Sequence, residues 1–430
     1  MIQAPKGTKD VLPQDSYRAQ HVEAAMRQAA ALAGYREVRT PVFEHTELFL
    51  RGVGDTTDIV QKEMYTFEDK GGRSITLKPE GTAGAVRALI EGKLFAQAQP
   101  QKMYYLNNPI FRYENPQHGR LREHHQFGME CFGAKEPTAD AELISLLLNM
   151  LAGLGLDDLT VHVNSIGCPV CRPGYHQRLR EYLGDNLGNL CENCRQRFDR
   201  NPLRVLDCKE TACKRIVADA PVVLDMLCDE CDDHFARLQQ LLDAAGVRYQ
   251  VDPRIVRGLD YYTKTVFEII MHGVREGLAL CGGGRYDGLV EMLGGPDLPA
   301  VGFGIGMERI LMELDNRGIA LPEPEQYQIY VANIEPESLT AAFQLTLALR
   351  AAGLRVDCDH SSRSLRAQFK YANKLNVHML VMVGGEEMQR GNVRLRDMRS
   401  GEEKEIPLQG AVEQIAGMLM RKNGGVEQNG

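Results

Sequence analysis

Between Lys102 and Gly133 the chain reads KMYYLNNPIFRYENPQHGRLREHHQFGMECFG, and the rest of the sequence is organised around this stretch. Tyr, Ile and Phe are dense in both arms, and Asn-Pro and His-Gly punctuate the middle, which predicts two β-strands joined by a polar, basic loop. Period-two alternation then sorts the side chains. Arg112 and Glu114 share one face of the first arm, with Phe111 and Tyr113 on the other. In the second arm Gln126 and Glu130 share a face, opposed by Phe127, Met129 and Cys131. An apolar face meets a core, and a charged face lines something polar. A solvated face with ordinary cross-strand pairs satisfies the same pattern, so the remaining chain has to decide between them.

With 430 residues the chain exceeds what one core usually organises, and two or three domains are expected. A formal charge of −8 and a pI near 5.8 argue against a protein coated in basic charge. They leave room for a local Lys/Arg patch that binds phosphates. The N-terminus, MIQAPKGTKDVLPQD, has no apolar signal-like run. The longest apolar run, Leu143 to Leu156, is cut by Asn149 and glycines and is too short to span a bilayer. A cytoplasmic protein without membrane attachment is the expectation. Eleven cysteines in such a chain predict thiols or metal ligands rather than disulfides.

Taken in order, the first hundred residues alternate helix and strand. Ser16 to Leu32 has helical apolar spacing, and Gly34 suits its C-terminal stop. REVRTPVFEHTELFLR then places Pro41 at a bend or sheet edge, a position that a subunit contact would also tolerate. SITLKPEGTAGAVRALI predicts a strand that breaks at Pro79 and enters a helix, with Glu80 and Thr82 at that start. There a Thr can cap and a carboxylate complements the helix N-terminus, although a carboxylate at such a turn also suits an ammonium group. After the central hairpin, AELISLLLNMLAGLGL reads as a helix and LTVHVNSIG as a strand.

From Cys168 the composition changes, and 168–249 reads as an inserted, mostly helical domain containing CPVC, CENC and CDEC. Cys168, Cys171, Cys191 and Cys194 match a zinc-ribbon spacing, and Cys208, Cys213, Cys228 and Cys231 would close a second set. The alternative is a group of small buried residues in a helical insert. Strand-like sequence resumes in VRGLDYYTKTVFEII, where Arg257 and Tyr261 fall on one side and Tyr262 on the other. LCGGGRYDGL follows, with Arg285 and Tyr286, and then AVGFGIGMERILMEL, a glycine-rich strand running into an amphipathic helix. Arg309 falls in the first turn of that helix, where its guanidinium and the free N–H groups converge on an anion. No phosphate-binding G-x-x-x-x-G-K-[ST] loop occurs, so a nucleotide would be held by arginines on a sheet. Beyond the linker NRGIALPEPEQ, strands and helices alternate as a small α/β domain. It concentrates Arg363, Arg366, Lys370, Lys374, Arg390, Arg394, Arg396 and Arg399, as nucleic-acid binding would need.

The segment at Pro41, the FRYE hairpin with Arg112 and Glu114, and GFGIGMER with Arg309 resemble the three signature motifs of class II aminoacyl-tRNA synthetases. RGLDYYTKTVFE and GGGRYDGL resemble segments peculiar to the histidyl-tRNA synthetase family. The match spans nearly the whole chain in the expected order. It implies an α+β catalytic core (1–167 and 250–322) built on an antiparallel sheet with flanking helices, the inserted domain (168–249) and an anticodon-binding domain (326–423), with chains paired as a homodimer. It also implies ligation of L-histidine to its tRNA through histidyl-adenylate, with ATP as substrate and Mg²⁺ at the outer phosphates. By the resemblance, Arg112 and Arg257 meet the α-phosphate and Arg309 the adenine and γ-phosphate end, with Glu114 and Arg120 also in the ATP site. Glu80, Thr82 and Gln126 match positions that receive the α-amino group. Glu130 and Tyr262 match those that bind the imidazole, with Tyr261 and Tyr286 alongside. Gln117 and Arg120 are expected near the tRNA acceptor end. A site built to hydrogen-bond both ring nitrogens discriminates by roughly 10⁴ or more against analogues that lack them. No metal in the insert follows from the resemblance.

Two other readings compete. One is a non-catalytic paralogue, the regulatory subunit of ATP phosphoribosyltransferase, which typically lacks the anticodon domain and the arginine-bearing segment; Arg257 and the domain after Tyr327 speak against it. The other is a zinc-dependent nucleic-acid-binding protein, which leaves the arginines on the sheet face unexplained.

Overall fold

The stretch that opened the sequence folds as two antiparallel strands, Gln101–Phe111 and Glu123–Phe132, as its alternation predicts. This computed structural model describes all residues except 55–56, 117–120, 209, 273–278, 325 and 424–430, and only the backbone at 107–108 and 420–423. The chain divides into two compact units, Met1–Pro322 and Glu323–Gly430.

In the first unit the strands are β1 (Arg36–Glu37), β2 (Phe43–His45), β3 (Tyr65–Glu68), β4 (Ser74–Leu77), β5 (Gln101–Phe111), β6 (Glu123–Phe132), β7 (Leu159–Ser165), β8 (Tyr249–Val251), β9 (Thr263–Met271), β10 (Ala279–Arg285) and β11 (Ala300–Gly306). Eight of them form one sheet in the order β1-β5-β6-β11-β10-β9-β7-β8. Its inner pairings are all antiparallel, and only the edge strands β1 and β8 run parallel to their neighbours. One face carries Phe127, Met129, Val301, Phe303, Ile305, Phe267 and Ile269 into a core. The helices Pro13–Leu32, Thr138–Gly153, Asp229–Ala244 and Met307–Asn316 cover that face and supply its other side chains. Burial of this continuous apolar surface, at about 25 cal/mol per Å², fixes which way every strand faces. The opposite face is thereby committed to the polar set. The strands β2, β4 and β3 form a separate small sheet.

VRGLDYYTKTVFEII is strand only from Thr263; Arg257 to Tyr262 precede β9 as a non-strand segment, with Tyr261 and Tyr262 both buried. The insertion is helical, as its composition predicts, with helices Arg172–Asp185, Glu192–Arg200, Leu203–Leu206 and Thr211–Ala218 packed on a small core of their own.

The second unit holds β12 (Ile329–Asn333), β13 (Val356–Cys358), β14 (Met379–Val383), β15 (Asn392–Asp397) and β16 (Glu403–Pro407) in the order β13-β12-β14-β15-β16. The first three are parallel and the last two add on as an antiparallel hairpin, the α/β alternation read from the sequence. Half of its basic cluster is neutralised within the unit: Arg363 pairs with Asp359, Arg390 with Glu405, Arg394 with Glu387 and Arg396 with Glu403. Arg366, Lys370 and Lys374 stay exposed at four-residue spacing on the helix Leu365–Lys374. That spacing puts all three on one helical face.

Candidate active site

On the polar face of the large sheet, glycines on one strand make room for polar side chains from the next. Glu130 on β6 stands opposite Gly302 on β11, and a Cβ at Gly302 would lie 1.7 Å from Glu130 Oε2. Tyr105 on β5 stands opposite Gly128, where a Cβ would lie 2.3 Å from its ring. Gln126 lies over Gly304, and the Arg257 guanidinium over Gly282, in the same way. The glycines of GFGIG and CGGGR thus serve close approach and not a dinucleotide turn. Cross-strand register thus gives the gap at Gly128, two residues before Glu130, to Tyr105, and gives Glu130 the one at Gly302.

Glu130 is fully buried. Its Oε1 accepts hydrogen bonds from Thr82 Oγ1 at 2.8 Å and Tyr105 Oη at 3.2 Å, and its Oε2 accepts one from Tyr286 Oη. Loss of hydration pushes its carboxyl up to about 8 despite these three donors. Tyr261 packs against both Tyr262 and Tyr286, with ring centroids 4.8 Å and 5.5 Å apart. The tyrosines at 105, 261, 262 and 286 therefore wall one buried carboxyl. Tyr105 was missed from sequence because KMYYL offers two adjacent tyrosines of equal standing. Tyr104 joins the core face and Tyr105 the polar face.

Glu80 takes the structural role expected of a carboxylate at this helix start. Its carboxylate accepts from the N–H groups of Thr82 (2.8 Å) and Ala83 (2.7 Å) and so caps the helix Thr82–Glu91. Thr82, expected as the cap, instead turns its hydroxyl to Glu130. Burial raises the Glu80 carboxyl above its ordinary range, against those N–H groups and nearby Arg112. Gln126 Oε1 is buried without a hydrogen-bond partner among the described residues, as is Arg257 Nε.

The three arginines are linked through shared neighbours. Arg112 Nε donates to the carbonyl of Pro79 at 2.8 Å, which holds the guanidinium beside the Glu80 turn. Burial, then Arg112 and Arg309, push the His124 imidazole down to about 4. Arg309 occupies the third position of the helix Met307–Asn316, as predicted, and donates to the carbonyl of Ala279. Arg309 and Arg257 both act on Cys281, whose thiol burial pushes far up. Arg257 pairs with Glu268 and, with Tyr262, Arg172, Asn201 and Arg204, lines a cavity of about 280 Å³. Two further residues went unread in the sequence: His125 pairs with Glu308 at 2.7 Å, and Glu308 also accepts from the His125 N–H at 3.0 Å. The HH pair sits in a strand without any spacing signature, so nothing local marked it. Glu114 follows Arg112 beyond the end of β5. Gln117 and Arg120 lie outside the described residues. Arg285 belongs to the scaffold: fully buried, it is paired with Asp140 at 2.7 Å and donates to the carbonyls of Ala134 and Glu136.

The cysteine grouping expected from spacing is wrong. The chain brings together Cys168, Cys171, Cys228 and Cys231, and separately Cys191, Cys194, Cys208 and Cys213. Because β8 runs parallel to β7, the helix Asp229–Ala244 carries the chain back along the sheet, and its start lies beside the segment that follows β7, so the first CxxC meets the last one and the two middle segments meet each other. Linear spacing pairs nearest neighbours and does not see that nested closure.

No helix among the described residues is long and apolar enough to cross a membrane. The family model for histidyl-tRNA synthetase matches residues 7–169 and 205–310, and that for an anticodon binding domain matches 328–418. The chain is 56% identical over 406 residues to the histidine–tRNA ligase of Caldanaerobacter subterraneus subsp. tengcongensis, covering 94% of this chain and 97% of that protein. It superposes on the crystal structure of the apo S. aureus histidyl-tRNA synthetase with a TM-score of 0.82 at 35% identity, covering 96% of this chain and 99% of that one. A structure from Bacillus halodurans titled as an ATP phosphoribosyltransferase regulatory subunit/histidyl-tRNA synthetase shares the fold at 23% identity and a TM-score of 0.60, covering 86% of this chain and 96% of that one. With the glycine-floored sheet, the buried carboxyl and the three arginines in place, these matches establish that the chain belongs to the histidyl-tRNA synthetase family.

Proposed function

We propose that this protein ligates L-histidine to its tRNA, first forming histidyl-adenylate from histidine and ATP with release of pyrophosphate, then passing the histidyl group to the tRNA 3′ end. The observation that carries this reading is Glu130, a buried carboxyl ringed by hydroxyls on the same sheet face as Arg257 and Gln126. A buried carboxyl ringed by hydroxyls beside an arginine supports a reading in which a polar ring and an anion are held side by side.

In the activation step the histidine carboxylate attacks the α-phosphate of ATP, so two anions must meet and a strongly negative transition state must be stabilised. Fixed cations aimed at that charge are the main requirement. Arg112 and Arg257 take the α-phosphate from two sides, and Arg309 takes the adenine and γ-phosphate end, with Glu114 and Arg120 nearby. Arginine suits each place because its planar fork donates in pairs and keeps its proton. Arg257 is held against Glu268 and retains an unpartnered Nε for the incoming anion. For the amino acid, Gln126 Oε1 offers an unused acceptor to the α-amino group, with Glu80 and Thr82 behind it. Glu130 meets the imidazole, with Tyr262, Tyr261 and Tyr286 around the ring. Mg²⁺ bound with the nucleotide would offset phosphate charge.

The second unit takes the anticodon arm, with Arg366, Lys370 and Lys374 meeting phosphates. Two chains pair near Pro41, where Val42 and Phe43 are exposed along with Phe67 of the same small sheet. Sedimentation equilibrium would read a monomer mass if that pairing is wrong. The insertion carries two groups of four cysteines. Its thiolates suit structural zinc, because four protein sulfurs leave no position for a substrate.

The test is histidine-dependent exchange of pyrophosphate into ATP. Arg257→Ala is expected to leave histidine binding within roughly tenfold and to slow adenylate formation by about 10² or more, since this cation serves a charge that grows in the transition state. An unchanged single-turnover rate removes Arg257 from the mechanism.

A further inference from the structure

We propose that the insertion binds two structural zinc ions, one held by Cys168, Cys171, Cys228 and Cys231 and the other by Cys191, Cys194, Cys208 and Cys213. Within each group the four sulfur atoms lie within 4.8 Å of one another. Zinc–sulfur bonds of about 2.3 Å in a tetrahedron place the sulfurs about 3.8 Å apart. The observed separations are 3.7 Å for Cys168–Cys171, 3.9 Å for Cys168–Cys228 and 3.8 Å for Cys191–Cys208. A disulfide needs about 2.05 Å, and thiols that merely fill a core have no reason to gather in fours at this spacing.

Backbone N–H groups point at three of these sulfurs. The N–H of Cys228 points at Cys171 Sγ at 3.2 Å, that of Cys191 at Cys213 Sγ at 3.2 Å, and that of Val170 at Cys168 Sγ at 3.4 Å. Cys171, Cys191 and Cys228 each immediately precede a helix, beginning at Arg172, Glu192 and Asp229, so each thiolate meets the positive end of a helix dipole. Arg172 directly follows Cys171, so a cation stands beside the first group, a site that carries two net negative charges once zinc is bound.

Each group also joins segments that are far apart in the sequence. The first joins the segment after β7 to the start of the helix Asp229–Ala244, clamping the two chain crossings of the insertion. Arg172, next to Cys171, donates to the carbonyls of Ile166 and Tyr262 and ties that clamp to the sheet. The second joins the helix Glu192–Arg200 to the helix Thr211–Ala218 inside the small core of the insertion. Metal binding there is folding energy.

The proposal stands apart from the reaction and is tested on the full chain purified without added metal. Elemental analysis should return about two zinc ions per chain, and X-ray absorption at the zinc edge should show four sulfur neighbours at about 2.3 Å. Folded protein with no zinc, or zinc bound through nitrogen or oxygen, overturns it. The grouping is read from serine variants. C168S and C228S should each lose one zinc, and the double variant should lose no more than either. C168S with C191S should lose both. Retention of one zinc in C168S/C191S restores the grouping by linear spacing and overturns this one. Should the variants fail to fold, stoichiometry and sulfur coordination of the unaltered protein still decide whether the two sites exist.

Discussion

Glu130 is fully buried, and loss of hydration raises its carboxyl to about 8, although Thr82, Tyr105 and Tyr286 all donate hydrogen bonds to it. At neutral pH the unliganded pocket therefore holds mostly a neutral acid. A free imidazole titrates at about 6.5, so acid and ring together hold one proton between the two values. Below about 6.5 the ligand must shed a proton to bind, and above about 8 the pair must take one up. Histidine affinity, followed by calorimetry across this range, is expected to peak between those limits. In Glu130→Gln the amide keeps the shape and cannot share a proton. Affinity should fall by about ten- to a hundredfold, as expected for a charged hydrogen bond of about 1.5–3 kcal/mol, and the alkaline limb due to the carboxyl should vanish. The α-amino group titrates alike in both proteins and cancels. Stability carries a second signature. Folding raises this carboxyl from 4.5 to about 8, so its contribution is fully present below about 4.5 and is lost as pH rises through about 8. Thermal melts of Glu130→Gln should lack that loss. Equal defects for histidine and ATP together with a lower Tm would make Glu130 a structural residue instead.

At the level of elements, the pocket exists because β11 carries glycine where a side chain would collide with its neighbour. A Cβ at Gly302 would sit 1.7 Å from Glu130 Oε2 and 2.6 Å from the Met129 carbonyl, and the backbone atom cannot swing aside. Gly302→Ala is expected to cost about 1–3 kcal/mol by overpacking and to raise the KM for histidine by displacing Glu130. Gly153→Ala serves as the control. Its Cβ meets nothing within 4 Å at the end of the helix Thr138–Gly153, and alanine is the better helix former there. Steady-state exchange kinetics and a thermal melt on both variants check this. A Gly302→Ala protein with an unchanged KM for histidine would show that the carboxyl does not depend on the glycine gap.

For the whole molecule, Met1–Pro322 and Glu323–Gly430 have separate cores, and every residue placed in the activation chemistry lies in the first. A protein ending at Pro322 is therefore expected to keep most of its histidine-dependent pyrophosphate exchange and to lose tRNA charging by a large factor. Comparison of the two assays on the truncated and full-length chains decides it. Equal loss of both activities would assign the second unit to support of the core or of the dimer.

The amino-acid sequence alone determined the features that depend on neighbours along the chain. Alternation in HHQFGMEC put Gln126 and Glu130 on one face and Phe127, Met129 and Cys131 on the other. The strand-to-helix passage in GFGIGMER put Arg309 in a first helical turn. These follow from periods of two and 3.6 residues, which are local. Tertiary structure alone decided what depends on register and loop closure. Whether Tyr104 or Tyr105 meets Glu130, and whether the gap belongs to Gly128 or Gly302, is fixed by which residues face each other across β5, β6 and β11. Arg285 stands next to Tyr286 in sequence, yet it reaches Asp140 and leaves the pocket to its neighbour. Cys168 and Cys171 partner with Cys228 and Cys231 because the helix Asp229–Ala244 starts beside the segment that follows β7, and such a contact leaves no trace in the spacing of the residues that make it.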